Sequence, residues 1–165
     1  MNLKELAGRI EKIISGRAVD GFEISAGASR NLSLEVKEKK IDSFKCSSPV
    51  GVSVRILKSR GMGFSYSTSM SDADLERMID AALIAAENQT PDPWHGFSAP
   101  SPFPVVGGLF DEGLAAVDEQ EKVRQAMELE RLTLAADERV KRVRKASYGE
   151  RSEEHTSELQ SRSDL

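Results

Sequence analysis

The chain predicts an α+β fold, and three observations carry that reading. Apolar residues recur at three- and four-residue steps near the start and again after residue 71, as on amphipathic helices. Between those two stretches, four runs alternate apolar and polar residues with period two, as half-buried strands do. The links between the runs are short, which favours antiparallel hairpins over parallel crossovers.

The first helix rests on Leu3, Leu6, Ala7, Ile10, Ile13 and Ile14, which form one stripe, with Gly16 where a stop is expected. The strand runs are Phe22–Ser25, Leu32–Lys37, Val50–Ile56 and Phe64–Ser67. Turns are expected at Ala28-Ser29-Arg30-Asn31, Glu38-Lys39-Lys40 and Lys58-Ser59-Arg60-Gly61. Ser71-Asp72-Ala73-Asp74 opens the second helix as a capping-box variant, with acids at the positive end of the helix dipole. Leu75, Met78, Ile79, Ala82, Leu83 and Ala86 mark its buried face, and Asn88 its stop. Two helices covering one face of a four- or five-stranded sheet make a first domain over residues 1–89.

Residues 90–110 read as a linker, because five of the six prolines fall there, at positions 91, 93, 100, 102 and 104. Trp94, Phe97 and Phe103 suggest that it lies against a surface. Residues 111–150 read as the start of a second α+β lobe. Asp118-Glu119-Gln120-Glu121 caps a helix whose face runs through Val123, Ala126, Met127, Glu130 and Leu134, widened by Leu129, Leu132 and Ala136. A strand is expected over residues 139–148. One helix and one strand close no core, so the lobe is expected to be incomplete. Residues 151–165, RSEEHTSELQSRSDL, break the pattern, with only Leu159 and Leu165 as large apolar residues. That string resembles, residue after residue, the in-frame translation of a sequencing-library adapter. The segment is therefore expected to be foreign to the protein, the alternative being an ordinary charged tail.

The composition of the 165 residues, 39% hydrophobic and 30% charged, is that of a globular protein. The net charge of −4 falls to −2 once the tail's Arg151 and Arg162 are set against Glu153, Glu154, Glu158 and Asp164, leaving 21 basic against 23 acidic residues. A near-neutral body argues against a nucleic-acid or membrane partner. The opening MNLKELAGRIEKII has no continuous apolar run, so a secretory signal is not expected. The single cysteine, Cys46, suits a reducing cytoplasm.

Few residues offer chemistry. Of the two histidines, His155 belongs to the tail, and His95 has no Cys, Asp or Glu at ligand spacing; it reads as a loop histidine packed by Trp94. Cys46 has no histidine to activate it and reads as a half-buried strand thiol. Gly61-Met62-Gly63 lacks the remainder of a phosphate loop and reads as a hairpin turn. Ser65 and Ser67 read as the outer face of a strand whose inner face is Phe64 and Tyr66. The basic run Arg139, Lys141, Arg142, Arg144 and Lys145 reads as a solvated strand edge, and the acids of Glu119–Glu130 as a solvent face. No catalytic, cofactor-binding or metal-binding residue is assigned.

Taken together, Leu34-Glu35-Val36, Val50-Gly51-Val52-Ser53-Val54-Arg55-Ile56 and Gly61-Met62-Gly63-Phe64-Ser65-Tyr66-Ser67-Thr68 resemble the first domain of the TldD/PmbA family of peptidases. The helix Asp72–Asn88 and the following Thr90-Pro91-Asp92-Pro93-Trp94 continue the resemblance, and the Asp-Pro-aromatic step is more like the PmbA (TldE) branch. Glu121–Tyr148 resembles the start of the family's second domain. The resemblance implies a subunit of a two-component cytoplasmic metalloprotease acting on unfolded or precursor peptides. Its partner would be a TldD-like or PmbA-like subunit, in a homo- or heterodimer. In the TldD branch, two histidines and a glutamate on a helix hold zinc and activate water. This sequence has no match to that motif, so no cofactor is expected in this fragment, and the part present would be non-catalytic and help build the dimer. The rival expectation is a non-enzymatic module that recognises a peptide or partner through its sheet edge and proline-rich segment.

Overall fold

The computed structural model describes residues 2–98, 104 and 106–161, the last five through their backbone alone. Pro100, Pro102 and Phe103 of the expected linker and the last four residues of the tail lie outside that range.

The element order is α1 (Leu3–Ser15), β1 (Gly21–Lys37), β2 (Lys40–Ser47), β3 (Val50–Lys58), β4 (Gly61–Ser67), α2 (Asp72–Asn88), a short 3-10 turn (Leu114–Ala116), α3 (Glu119–Ala135) and β5 (Ala146–Ser161). The fold class is α+β, as the periodicities predict. The strands form a sheet of order β2-β1-β3-β4, with β5 also paired to β1. All the pairings β1–β2, β1–β3 and β3–β4 are antiparallel.

The first correction concerns β1. The turn expected at residues 28–31 is absent, and the two runs on either side of it are one 17-residue strand. Along it Phe22, Ile24 and Ala26, then Leu32, Leu34 and Val36, are buried, and Arg30 between them is exposed. The returning chain pairs in the same register on either side of its break, Asn31 with Ser47 and Ala28 with Val50. The return strand is interrupted at Ser48-Pro49, where proline has no N–H for the ladder.

By compactness the chain divides into two units. One takes in Met1–Ala28, Pro49–Phe103 and Glu153–Leu165, the other Ser29–Ser48 and Pro104–Ser152. In the first, α1 and α2 cover one sheet face. Leu3, Leu6, Ala7, Ile10 and Ile14 meet Leu75, Met78, Ile79 and Ala82 over Phe22, Ile24, Ala26, Val52, Val54 and Ile56. Asn2 caps α1 by accepting from the backbone N–H of Lys4 and Glu5, and Ser71 caps α2 by accepting from Asp74. The helix α2 lies directly on β4. A Cβ at Gly63 would sit 2.6 Å from Ala86 N and 2.9 Å from the Ala82 carbonyl carbon. Gly61-Met62-Gly63 is therefore not the turn, which is Ser59-Arg60, but the strand segment that lets the helix approach.

That approach inverts the expected faces of β4. Gly61 and Gly63 are buried and Ser65 is half-buried, while Phe64 and Tyr66 are 58% and 72% exposed. No room for large side chains remains on the inner face, so the aromatics point outward.

In the second unit Leu32, Leu34, Val36 and Ala126 form a small core, flanked by Val123, Met127 and Tyr148. The helix α3 keeps its expected face, with Ala126 and Glu130 buried and Val123, Met127 and Leu134 half-buried, but not the widening: Leu129 and Leu132 are about half exposed and Ala136 is exposed, whereas Lys122 is buried. The strand expected over residues 139–148 begins only at Ala146 and continues through the tail to Ser161. Backbone pairing explains this. An open strand edge offers donors and acceptors to any extended chain, whether or not its side chains have anything to bury.

Candidate functional site

None of the residues flagged by the sequence assembles with another into a catalytic constellation. His95 is fixed by Nδ1, 2.9 Å from the carbonyl oxygen of Arg60, which also accepts from Asp92 N at 3.0 Å. Trp94, expected to pack against it, is 91% exposed. His95 thus ties the start of the proline-rich segment to the β3–β4 turn. Cys46 is exposed rather than half-buried, because both faces of β2 are largely open to solvent. Ser69 and Ser71 both donate to Asp74 Oδ2, at 2.5 and 2.6 Å, and Arg77 pairs with the same carboxylate. Those hydrogen bonds, from Ser69 first, hold the Asp74 carboxyl well below the usual carboxylate range. The hydroxyls serve a helix start, not a reaction.

A catalytic zinc of the kind the resemblance implies needs three protein ligands. His155 faces Glu153 at 3.3 Å and lies beside Gly27. Among the described residues no group of three or more His, Cys, Asp or Glu could hold a metal ion. The described residues offer no ligand set that fits zinc.

The polar chemistry concentrates in the second unit, in three adjoining arrangements. First, the β1–β2 turn places two non-glycine residues at positive φ, Glu38 at 52° and Lys39 at 60°. Both backbone N–H groups donate to the buried Glu130 carboxylate, at 2.8 Å each. A two-residue turn of this hand suits the strand twist but favours Asn-Gly. Here Glu130 holds the conformation that the turn's own residues do not prefer. The sequence places Glu130 on a helix face; its partner, about 90 residues away, leaves no local signal.

Second, Lys122 Nζ donates to Glu150 Oε1 at 2.8 Å, with side chains 1% and 9% exposed, and Tyr148 donates to the other carboxylate oxygen at 3.0 Å. Burial works against ionising Glu150, but the bonds from Lys122 and Tyr148 outweigh it, and its carboxyl lies below the ordinary value. Burial, with that anion beside it, pushes the Tyr148 hydroxyl up.

Third, Lys37, Arg142 and Arg144 line an open cavity of about 310 Å³. Arg142 reaches Glu38 at 3.2 Å, and Lys145 pairs with Glu35 at 2.5 Å, which draws the Glu35 carboxyl down. The basic run is thus not a strand edge: residues 140–145 belong to no strand.

Comparison with known proteins gives these features a family context. Residues 22–86 match the PmbA/TldA metallopeptidase domain 1. An uncharacterized protein of Methanocaldococcus jannaschii is 23% identical over 127 residues, which span 76% of this chain and 29% of that protein. Among solved structures, TldE from Thermococcus kodakarensis is similar at a TM-score of 0.66 and 19% identity, covering 96% of this chain and 36% of that one. A proposed modulator of DNA gyrase from Bacteroides thetaiotaomicron is similar at a TM-score of 0.79 and 19% identity, covering 94% and 36%. The chain therefore spans about a third of the length of these relatives. No helix among the described residues is long and apolar enough to cross a membrane.

Proposed function

From a chain that belongs to the PmbA/TldD family and carries its first domain, we propose a non-catalytic part of a PmbA-like (TldE-like) subunit of a cytoplasmic two-component peptidase. The observation that carries this reading is the family match over β1 to α2, the lobe in which two helices cover one face of an antiparallel sheet. In this reading the chain contributes surface and scaffold, and a TldD-like subunit supplies the zinc and the activated water that cleave an unfolded or precursor peptide. The outward Phe64 and Tyr66, with rings 6.4 Å apart, favour assembly, because exposed aromatics on a rigid sheet commonly mark a surface that another polypeptide covers.

The test is to mix the purified chain with a TldD-type subunit, measure complex mass by light scattering, and assay cleavage of a disordered peptide. The complex should form and carry the activity, with the chain alone inactive and holding no stoichiometric zinc. Tight zinc binding and peptide cleavage by the isolated chain would refute the non-catalytic role.

A further inference from the structure

The cavity beside the β1–β2 turn has a charge balance that the chain does not itself complete. Its three lining side chains, Lys37, Arg142 and Arg144, are all cationic. Of these, Arg142 has the Glu38 carboxylate at 3.2 Å, and no carboxylate among the described residues is within ion-pair distance of Lys37 or Arg144. The nearby Glu35 is already taken by Lys145. Arg142 and Arg144 are two residues apart on a non-helical stretch, and guanidinium forks suit paired oxygens.

The size of the cavity adds a second constraint, beside residues 140–145, which belong to no strand. A small inorganic anion would answer the charge but would occupy little of a cavity of about 310 Å³. An extended polypeptide with acidic side chains on alternate residues answers both charge and volume, with carboxylates directed to the cations. We propose that Lys37, Arg142 and Arg144 form a docking point for an extended acidic segment of a partner polypeptide. The proposal stands on this unit's own geometry, whichever subunit of a peptidase the chain belongs to.

The experiment titrates the full chain into a fluorescent Glu-Val-Glu-Val-Glu-Val peptide, its Gln-for-Glu counterpart, and the acidic peptide with inorganic phosphate as competitor. Anisotropy should show saturable one-to-one binding of the acidic peptide that weakens with added salt. The variant K37Q/R144Q should bind about tenfold more weakly, while K4Q/K12Q on α1 should stay within about twofold of the parent. Hydrogen exchange at residues 140–145 should slow when the peptide binds, a readout that needs no variant. Equal binding of the Gln peptide, unchanged binding by K37Q/R144Q, or unchanged exchange at 140–145 would overturn the proposal. So would full displacement by phosphate at concentrations near the peptide's own dissociation constant, which would make this a small-oxyanion site.

Discussion

Gly63→Ala tests the packing that sets the architecture of the first unit. The added Cβ would lie 2.6 Å from Ala86 N and 2.9 Å from the Ala82 carbonyl carbon, closer still to the Ala82 oxygen, and all of these are helix backbone. To reach an ordinary separation of about 3.6 Å, α2 must retreat from β4 by at least ~1 Å, and a gap of about 0.5–1 Å already forfeits a quarter to a half of the dispersion well for every contact across it. The helix brings Leu75, Met78, Ile79, Ala82 and Ala86 to the core, so the loss is shared by five buried side chains. Overpacking of this kind costs about 1–3 kcal/mol, and a rigid backbone neighbour places Gly63→Ala near the top, at ~3 kcal/mol. The matched control is Gly8→Ala in α1, where a Cβ meets nothing within 4 Å. There the helix propensity of alanine should stabilise by roughly 0.5–1 kcal/mol. Urea unfolding followed by far-UV circular dichroism gives both values, and hydrogen exchange at β3, β4 and α2 localises the loss. A Gly63→Ala protein within about 0.5 kcal/mol of the parent would refute close helix–strand contact as the reason for glycine there.

Four further outcomes follow from the second unit and the tail. Glu130→Ala strands the N–H groups of Glu38 and Lys39 at positive φ; it should destabilise that unit by about 2–3 kcal/mol, and placing Asn-Gly at positions 38 and 39 should recover part of the loss. Lys122→Met leaves a buried Glu150 carboxylate without its cation and should cost about 3 kcal/mol in thermal or urea melts. Because the folded Glu150 pKa lies below its ordinary value of 4.5, the carboxylate's contribution is present above that pH and is lost as pH falls below it; a pH series on the parent should show stability dropping in that window, and a flat profile would contradict the ion pair. Deleting residues 151–165 should leave exchange protection in α1, α2, β3 and β4 unchanged and lower it only along the β1 edge that β5 covers, since every member of the larger core precedes Glu150; loss of protection in α1 or α2 would show that the tail is integral to the fold.

What the sequence made legible depended on whether a residue's environment lies close by along the chain. The stripe of α1 was readable because one helix face meets one core, and the alternation of β3 because its even-numbered residues are buried. On β4 the same logic fails, since hydrophobicity alone places the aromatics inward. The usable signal was the small residues at period two, Gly61, Gly63 and Ser65, set against a helix carrying Ala82 and Ala86 on its buried face. Small against small means close approach, and close approach expels large side chains to the other face. The second unit failed for a different reason. Glu130 and Lys122 look like solvent-facing charges on an amphipathic helix until the Glu38-Lys39 turn and Glu150 are brought to them by long-range folding. A burial pattern records how apolar a residue is, not whether a distant partner will satisfy its charge. The cationic cavity was invisible on the same grounds, since Lys37 and Arg144 lie over a hundred positions apart. The tail shows the limit from the other side. Its composition gives it no core to join, yet it continues β5, a strand that pairs with β1 and runs to Ser161, because main-chain hydrogen bonds carry no sequence information. Side-chain charge supplies the selectivity that such bonds lack, and on the surface proposed above Lys37, Arg142 and Arg144 would select an acidic partner.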